Sequence, residues 1–169
     1  MRKVLIVVDM QNDFVTGSLG SEAAQTIIPV IQSKMKEYQV NGHDVIFTRD
    51  THYDNYLETF EGRNLPVPHC IKGTYGWEVV PELENPECQH IDKETFGNSS
   101  WDKFSEYDEF ELCGVCTDIC VVSNALALRM FYPDKKIIVD ANCCAGTSDE
   151  AHRAALLIMK SCQIEVVGE

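Results

Sequence analysis

From Lys3 to Val8 the chain is β-branched and apolar without polar alternation, the pattern of a central strand covered on both faces. Ile27, Ile28, Ile31, Met35 and Tyr38 then recur at helical spacing, which predicts a helix over 27–38 that Asn41-Gly42 brings to an end. A second short apolar strand is predicted over 44–48. Residues 50–86 break the pattern: they are polar and aromatic, hold four of the six prolines and contain no long periodic segment. An irregular stretch of that length is usually functional. Regularity returns with strands over 89–92, 109–115, 136–140 and 164–167, a helical turn over 99–104, and helices over 118–131 and 148–159.

Strands alternating with helices predict an α/β fold, doubly wound, in which a mostly parallel sheet carries helices on both faces. The 169 residues fit one domain without a linker, with the irregular segment at about 50–86 inside it. Ligands in such sheets bind beyond the carboxyl ends of the strands, so residues that leave those ends carry most interest. Asp9 follows five apolar residues at the exit of the first strand, Lys93 follows the strand over 89–92, and Cys120 lies at the start of the helix after the strand over 109–115. Alone, Asp9 reads as a turn cap or a solvated carboxylate, and Lys93 as a surface lysine. A thiol in the first turn of a helix, with Thr117 and Asp118 as candidate N-caps, is expected to have its pKa lowered. Three parallel strands bring the three groups to one edge. Such a trio supports covalent acyl transfer: Asp9 accepts the thiol proton, Cys120 attacks a carbonyl, Lys93 keeps the carboxylate charged, and helix N–H groups stabilise the oxyanion.

Composition narrows the partners. With 14 Lys+Arg against 27 Asp+Glu the net charge is −13, which disfavours nucleic acid. The apolar runs fall short of a membrane span, and the start MRKVLIVVDM lacks a cleavage site. A cytoplasmic protein is expected, with its eight cysteines reduced and mostly packed as small hydrophobes.

The stretches VVDMQNDF (7–14), KETF (93–96) and GVCTDICV (114–121) resemble the Asp-Lys-Cys motifs of the isochorismatase-like cysteine hydrolases, and among them the nicotinamidases. Motif order and spacing agree along nearly the whole chain. The resemblance implies a cis peptide between Val115 and Cys116, with the backbone amides of Cys116 and Cys120 forming the oxyanion hole. It also implies an amidohydrolase that converts nicotinamide to nicotinate and ammonia, pyrazinamide being a surrogate. A sibling reaction on a carbamoyl compound or another small amide remains the alternative.

A second cluster lies in the irregular segment. Asp50 and His52 are two apart at the end of a strand and can point the same way; Glu61 and His69 follow. Mixed histidine and carboxylate ligands suit zinc, manganese or iron. The D-x-H after the second strand and the histidine of PHCIKGTYG (68–76) resemble the nicotinamidase metal site, where one divalent ion orients a small-molecule amide. The family most often has a histidine as third ligand, so Glu61 resembles a variant, with Asp54 or Glu58 as other carboxylates that could serve. For the pocket wall, Phe14 resembles the family's stacking phenylalanine and Phe96 follows Lys93; Leu19, Tyr56, Trp77 and Trp101 are further candidates. Pro66 stands where the family often has a bulky aromatic, so part of the wall must come from elsewhere.

Other accounts of the cysteines are weaker. Cys113 and Cys116 form a C-x-x-C, but at a strand end rather than a helix start, and the adjacent Cys143-Cys144 has the wrong spacing for a zinc knuckle. A non-catalytic binding module has little use for the complete trio. His43, His90 and His152 read as surface or capping residues. The helix over 148–159 could supply an apolar face for a homo-oligomer.

Overall fold

The computed structural model describes residues 1–169. Its centre is a six-stranded parallel sheet of β1 (Lys3–Val8), β2 (Asp44–Asp50), β3 (Gln89–Lys93), β4 (Glu109–Val115), β5 (Lys136–Ala145) and β6 (Glu165–Val167), in the order β3-β2-β1-β4-β5-β6. The unbroken apolar run of β1 has a direct cause. Val4, Ile6 and Val8 face a core shared with α5 (Val122–Phe131) and α6 (Asp149–Ser161), while Leu5 and Val7 face a second core under α3 (Ile28–Val40). Both faces being covered, no position from Val4 to Val8 is polar. At about 25 cal/mol per Å² of apolar area removed from water, such burial is the main stabilising term.

Boundaries differ from the sequence reading in instructive places. Strand β2 runs two residues beyond 44–48, and Asp50, placed at a strand end by the sequence, is its last residue. Strand β5 is ten residues long, because Cys143 and Cys144 continue it as small buried hydrophobes. The short helix α2 (Glu22–Thr26), which follows the four-residue helix α1 (Asn12–Val15), has no apolar periodicity and is started by Ser21, whose side chain accepts from Ala24 N. The irregular segment holds only the five-residue helix α4 (Phe60–Asn64) and two single turns, at Tyr56–Glu58 and Tyr75–Trp77. The helical turn expected over 99–104 narrows to Trp101–Lys103. No helix is long and apolar enough to cross a membrane.

One glycine sets how closely the strand ends approach. Gly114 has φ +112, and a Cβ there would lie 2.1 Å from Val8 O, so the end of β4 can sit against the end of β1 only with glycine at this point.

Candidate active site

Asp9 leaves β1 with φ +51, a left-handed conformation that aspartate tolerates better than most residues at a cost of about 1–3 kcal/mol. Its N–H donates to Thr48 O at 3.1 Å, and Thr48 Oγ1 donates to Asp9 Oδ1 at 2.7 Å. The carboxylate is thereby aimed across the strand ends. Lys93, the last residue of β3, reaches under β2 to place Nζ 2.6 Å from Asp9 Oδ2, 3.5 Å from Cys120 Sγ and 3.4 Å from Asp50 Oδ1. Cys120 sits in a π-helical turn, Thr117–Val121, in which Val121 N donates to Cys116 O at 3.1 Å. The three groups predicted to meet at one edge do meet there, all of them buried.

Burial is the largest influence on each charge. It pushes Asp9 up, and the neighbouring Lys93 only partly offsets this. It pushes the Cys120 thiol well up, with the Asp9 charge adding to the effect and Lys93 opposing it. The lowered thiol pKa expected at a helix start is therefore corrected: exclusion of water outweighs the helix terminus. Burial also opposes the Lys93 ammonium, but the charges of Asp9, Cys120 and Asp50 outweigh it and hold the proton on firmly. These directions favour an ammonium at Lys93 and a neutral thiol at Cys120. The Asp9 carboxylate, in its ion pair with Lys93, is also within hydrogen-bonding reach of the Cys120 thiol.

The expected caps do other work. Thr117 Oγ1 bonds His152 Nδ1 at 2.7 Å, and Asp118 accepts from Thr147 N at 2.8 Å and Thr147 Oγ1 at 2.6 Å. Thr117 ties the turn of Cys120 to α6, and Asp118 ties it to the segment between β5 and α6. The Val115–Cys116 peptide is cis. Cys113 is buried beside Ile6 O at 3.8 Å, and all eight cysteines are free thiols.

Asp50, His52, Glu61 and His69 offer ligand atoms that all lie within 4.8 Å of one another. His52 Nε2 is 2.9 Å and His69 Nε2 3.5 Å from Asp50 Oδ2; Glu61 Oε1 is 3.6 Å and 3.9 Å from the same two nitrogens. A first-row divalent ion with ligands at about 2.0–2.2 Å requires ligand–ligand edges of roughly 3–3.5 Å, so the set fits one after small adjustments. His69 Nδ1 lies 2.7 Å from Val67 O, which leaves Nε2 facing the cluster. Burial works against the Asp50 carboxylate, yet the hydrogen bonds from His52 and His69 and the Lys93 charge hold its pKa far below the usual range. Asp50 thus belongs to both clusters. Glu61 converges on the histidines, whereas Asp54 and Glu58 do not.

A cavity of about 410 Å³ opens onto both clusters. Phe14, Leu19 and Phe96 line it as expected, and Leu65 supplies wall next to Pro66. Three aromatic expectations are corrected. Tyr56 is fully buried behind the metal cluster, its ring centroid 4.7 Å from His52 and 5.0 Å from His69; Trp77 donates to Thr51 Oγ1 at 2.9 Å under Arg49; Trp101 is a core residue. Tyr56 instead holds the histidine rings.

Sequence reasoning passed over two polar residues, Gln11, which is buried, and Asp13, which is half-buried. The Gln11 amide donates to Asp50 O and Trp77 O at 2.8 Å each and accepts from Asp50 N at 2.7 Å; Asp13 Oδ2 accepts from Cys70 N at 2.8 Å. Polar residues directly after a fully apolar strand, in DMQND (9–13), were the signal for them.

The profile of a family described as isochorismatase domain matches residues 3–168. An isochorismatase family protein of Bacillus subtilis is 32% identical, the alignment covering 92% of this chain and 93% of that protein. The nicotinamidase/pyrazinamidase of Mycobacterium tuberculosis is 28% identical, covering 98% of each. The pyrazinamidase of Pyrococcus horikoshii, whose crystal structure contains zinc, superposes over 100% of both chains with a TM-score of 0.87 at 29% identity.

Proposed function

This chain belongs to the isochorismatase family, and from that membership we propose that it hydrolyses nicotinamide to nicotinate and ammonia through a thioester at Cys120. The observation that carries the reading is the buried Asp9–Lys93–Cys120 set opening into a small apolar-walled cavity beside four metal-type ligands. Asp9 Oδ2 takes the thiol proton as Sγ attacks the amide carbon, so the C–S bond forms and negative charge moves to oxygen. The backbone amides of Cys116 and Cys120 receive that charge. As the C–N bond breaks, the proton on Asp9 passes to the leaving nitrogen and ammonia departs. Asp9 then accepts a proton from water attacking the thioester; as the C–S bond breaks that proton returns to the departing sulfur, nicotinate leaves, and the Asp9 carboxylate and the Cys120 thiol are restored. Lys93 remains an ammonium throughout and holds Asp9 in place between turns of this cycle.

A divalent ion, zinc being favoured by the P. horikoshii relative, would be held by Asp50, His52, Glu61 and His69 and would supply a Lewis-acidic point that accepts a ring nitrogen. Phe14, its ring 5.4 Å from that of His69, and Phe96 would then flank the flat ring. The carbamoyl alternative is less well supported. A carbamoyl amino acid carries a carboxylate, and the cavity lining contains no lysine or arginine to pair with one. Ammonia release from a panel of small amides, with and without chelator, tests the proposal. Turnover of nicotinamide that falls on chelation and vanishes in Cys120→Ala supports it; much faster turnover of a carbamoyl compound overturns it.

A further inference from the structure

Asn124 stands one helical turn beyond Cys120, fully buried, and spends its amide on two different parts of the molecule. Its Nδ2 donates to Cys120 O at 2.8 Å and to Phe96 O at 3.3 Å. Its Oδ1 accepts from Asn98 N at 2.8 Å and from Trp101 Nε1 at 2.9 Å. These are all four bonds that a carboxamide can make. One end of the side chain is on the nucleophile's own turn. The other three bonds are on the segment between Lys93 and Trp101, which supplies Phe96 to the cavity wall and, through Thr95 O at 3.2 Å, a further acceptor to Lys93 Nζ.

We infer that Asn124 is a positioning residue that locks the turn of Cys120 to the Lys93–Phe96 segment, so that the sulfur, the ammonium and the aromatic wall keep one relative placement. The inference rests on Cys120 being the nucleophile. The geometry assigns the two halves of the amide separate effects. The bond to Cys120 O sets where Sγ points, and its loss lowers kcat. The bonds to Phe96, Asn98 and Trp101 set the wall, and their loss raises KM.

Three variants separate these effects. Asn124→Ala removes all four bonds. Asn124→Thr keeps one, because a threonine hydroxyl in a helix donates to the carbonyl four residues earlier. Trp101→Phe removes a single donor from the loop half and remains informative should Asn124→Ala fail to fold. For nicotinamide the expected result is a kcat at least about tenfold down in Asn124→Ala, equivalent to about 1.4 kcal/mol. In Asn124→Thr kcat recovers most of that loss while KM stays raised several-fold, and Trp101→Phe raises KM alone. The rate of Cys120 alkylation by iodoacetamide, read on its own peptide, should drop in Asn124→Ala and recover in Asn124→Thr. That readout does not depend on which amide is hydrolysed. If the wild type turns over no pyridine amide but the alkylation rates follow this pattern, the substrate reading fails and the positioning role stands. If all three variants lose only thermal stability, with kcat, KM and the alkylation rate as in wild type, the inference is overturned.

Discussion

Two sets of aspartate, lysine and cysteine meet around the sheet, and only one of them opens onto the cavity beside the metal-type ligands. In the first, Lys93 lies between Asp9 and Cys120 where the strands end, against a cavity. In the second, Asp140 Oδ2 accepts from Cys143 Sγ at 3.5 Å and pairs with Lys34 Nζ at 2.8 Å. Here the lysine is also held by Glu111 at 2.5 Å, and Tyr38 caps the other Glu111 oxygen at 2.5 Å. Two carboxylates therefore share one ammonium, so that Cys143, pushed up to about 12 by burial and then by Asp140, faces a net negative neighbourhood. It also lies outside the opening that Cys116 and Cys120 line. The same residue types thus border a cavity in one place and form a clasp between α3 and the sheet in the other. A lysine ammonium in contact with the sulfur itself, Lys93 Nζ to Cys120 Sγ at 3.5 Å, and access from a cavity make the difference.

The largest expected effect breaks this comparison at the thiols. Cys120→Ala should lower kcat by more than about 10³-fold, whereas Cys143→Ala should leave it within about twofold; steady-state ammonia release measures both. Next come the bases. Asp9→Asn should lose about 10²–10⁴ in rate, while Asp140→Asn should lose stability and keep kcat. His52→Ala should lower bound metal, read by elemental analysis, and weaken kcat/KM by at least about tenfold. The pH profile sharpens the contrast further. Because burial raises the pKa of Asp9, the acid limb of kcat/KM should fall above the ordinary carboxylate value of about 3.9; activity is complete above that limb and is lost as Asp9 is protonated below it. Lys34→Met should have the smallest effect on rate. It should cost about 1–3 kcal/mol, less than a fully dry pair because solvent reaches these side chains, and about 2–4 °C of Tm for each kcal/mol.

Much of the first site was legible in the chain because it depends on strand ends. A run such as VLIVV can only be a covered strand, and whatever polar residue follows it must leave the core at the sheet edge. Asp9, Lys93 and Cys120 were therefore locatable one strand at a time. The metal cluster was less so: Asp50 and His52 follow from strand alternation, but Glu61 comes from a five-residue helix that carries no periodicity. The second Asp–Lys–Cys set was invisible. Lys34 lies on a helix and Glu111 in a strand whose register against Leu5 is fixed only by folding. Trp101 misled for a related reason. An aromatic near a polar loop reads as pocket wall, and its burial depends on Asn124, a partner 23 residues away.

The central claim is that Cys120, alone among the eight thiols, becomes acylated. Acid quenching during turnover of nicotinamide, followed by peptide mass analysis, tests it most directly. The account predicts a nicotinoyl group on the peptide that carries Cys120 and on no other. An acyl group found on Cys143, on Cys116 or on a non-cysteine residue would contradict it.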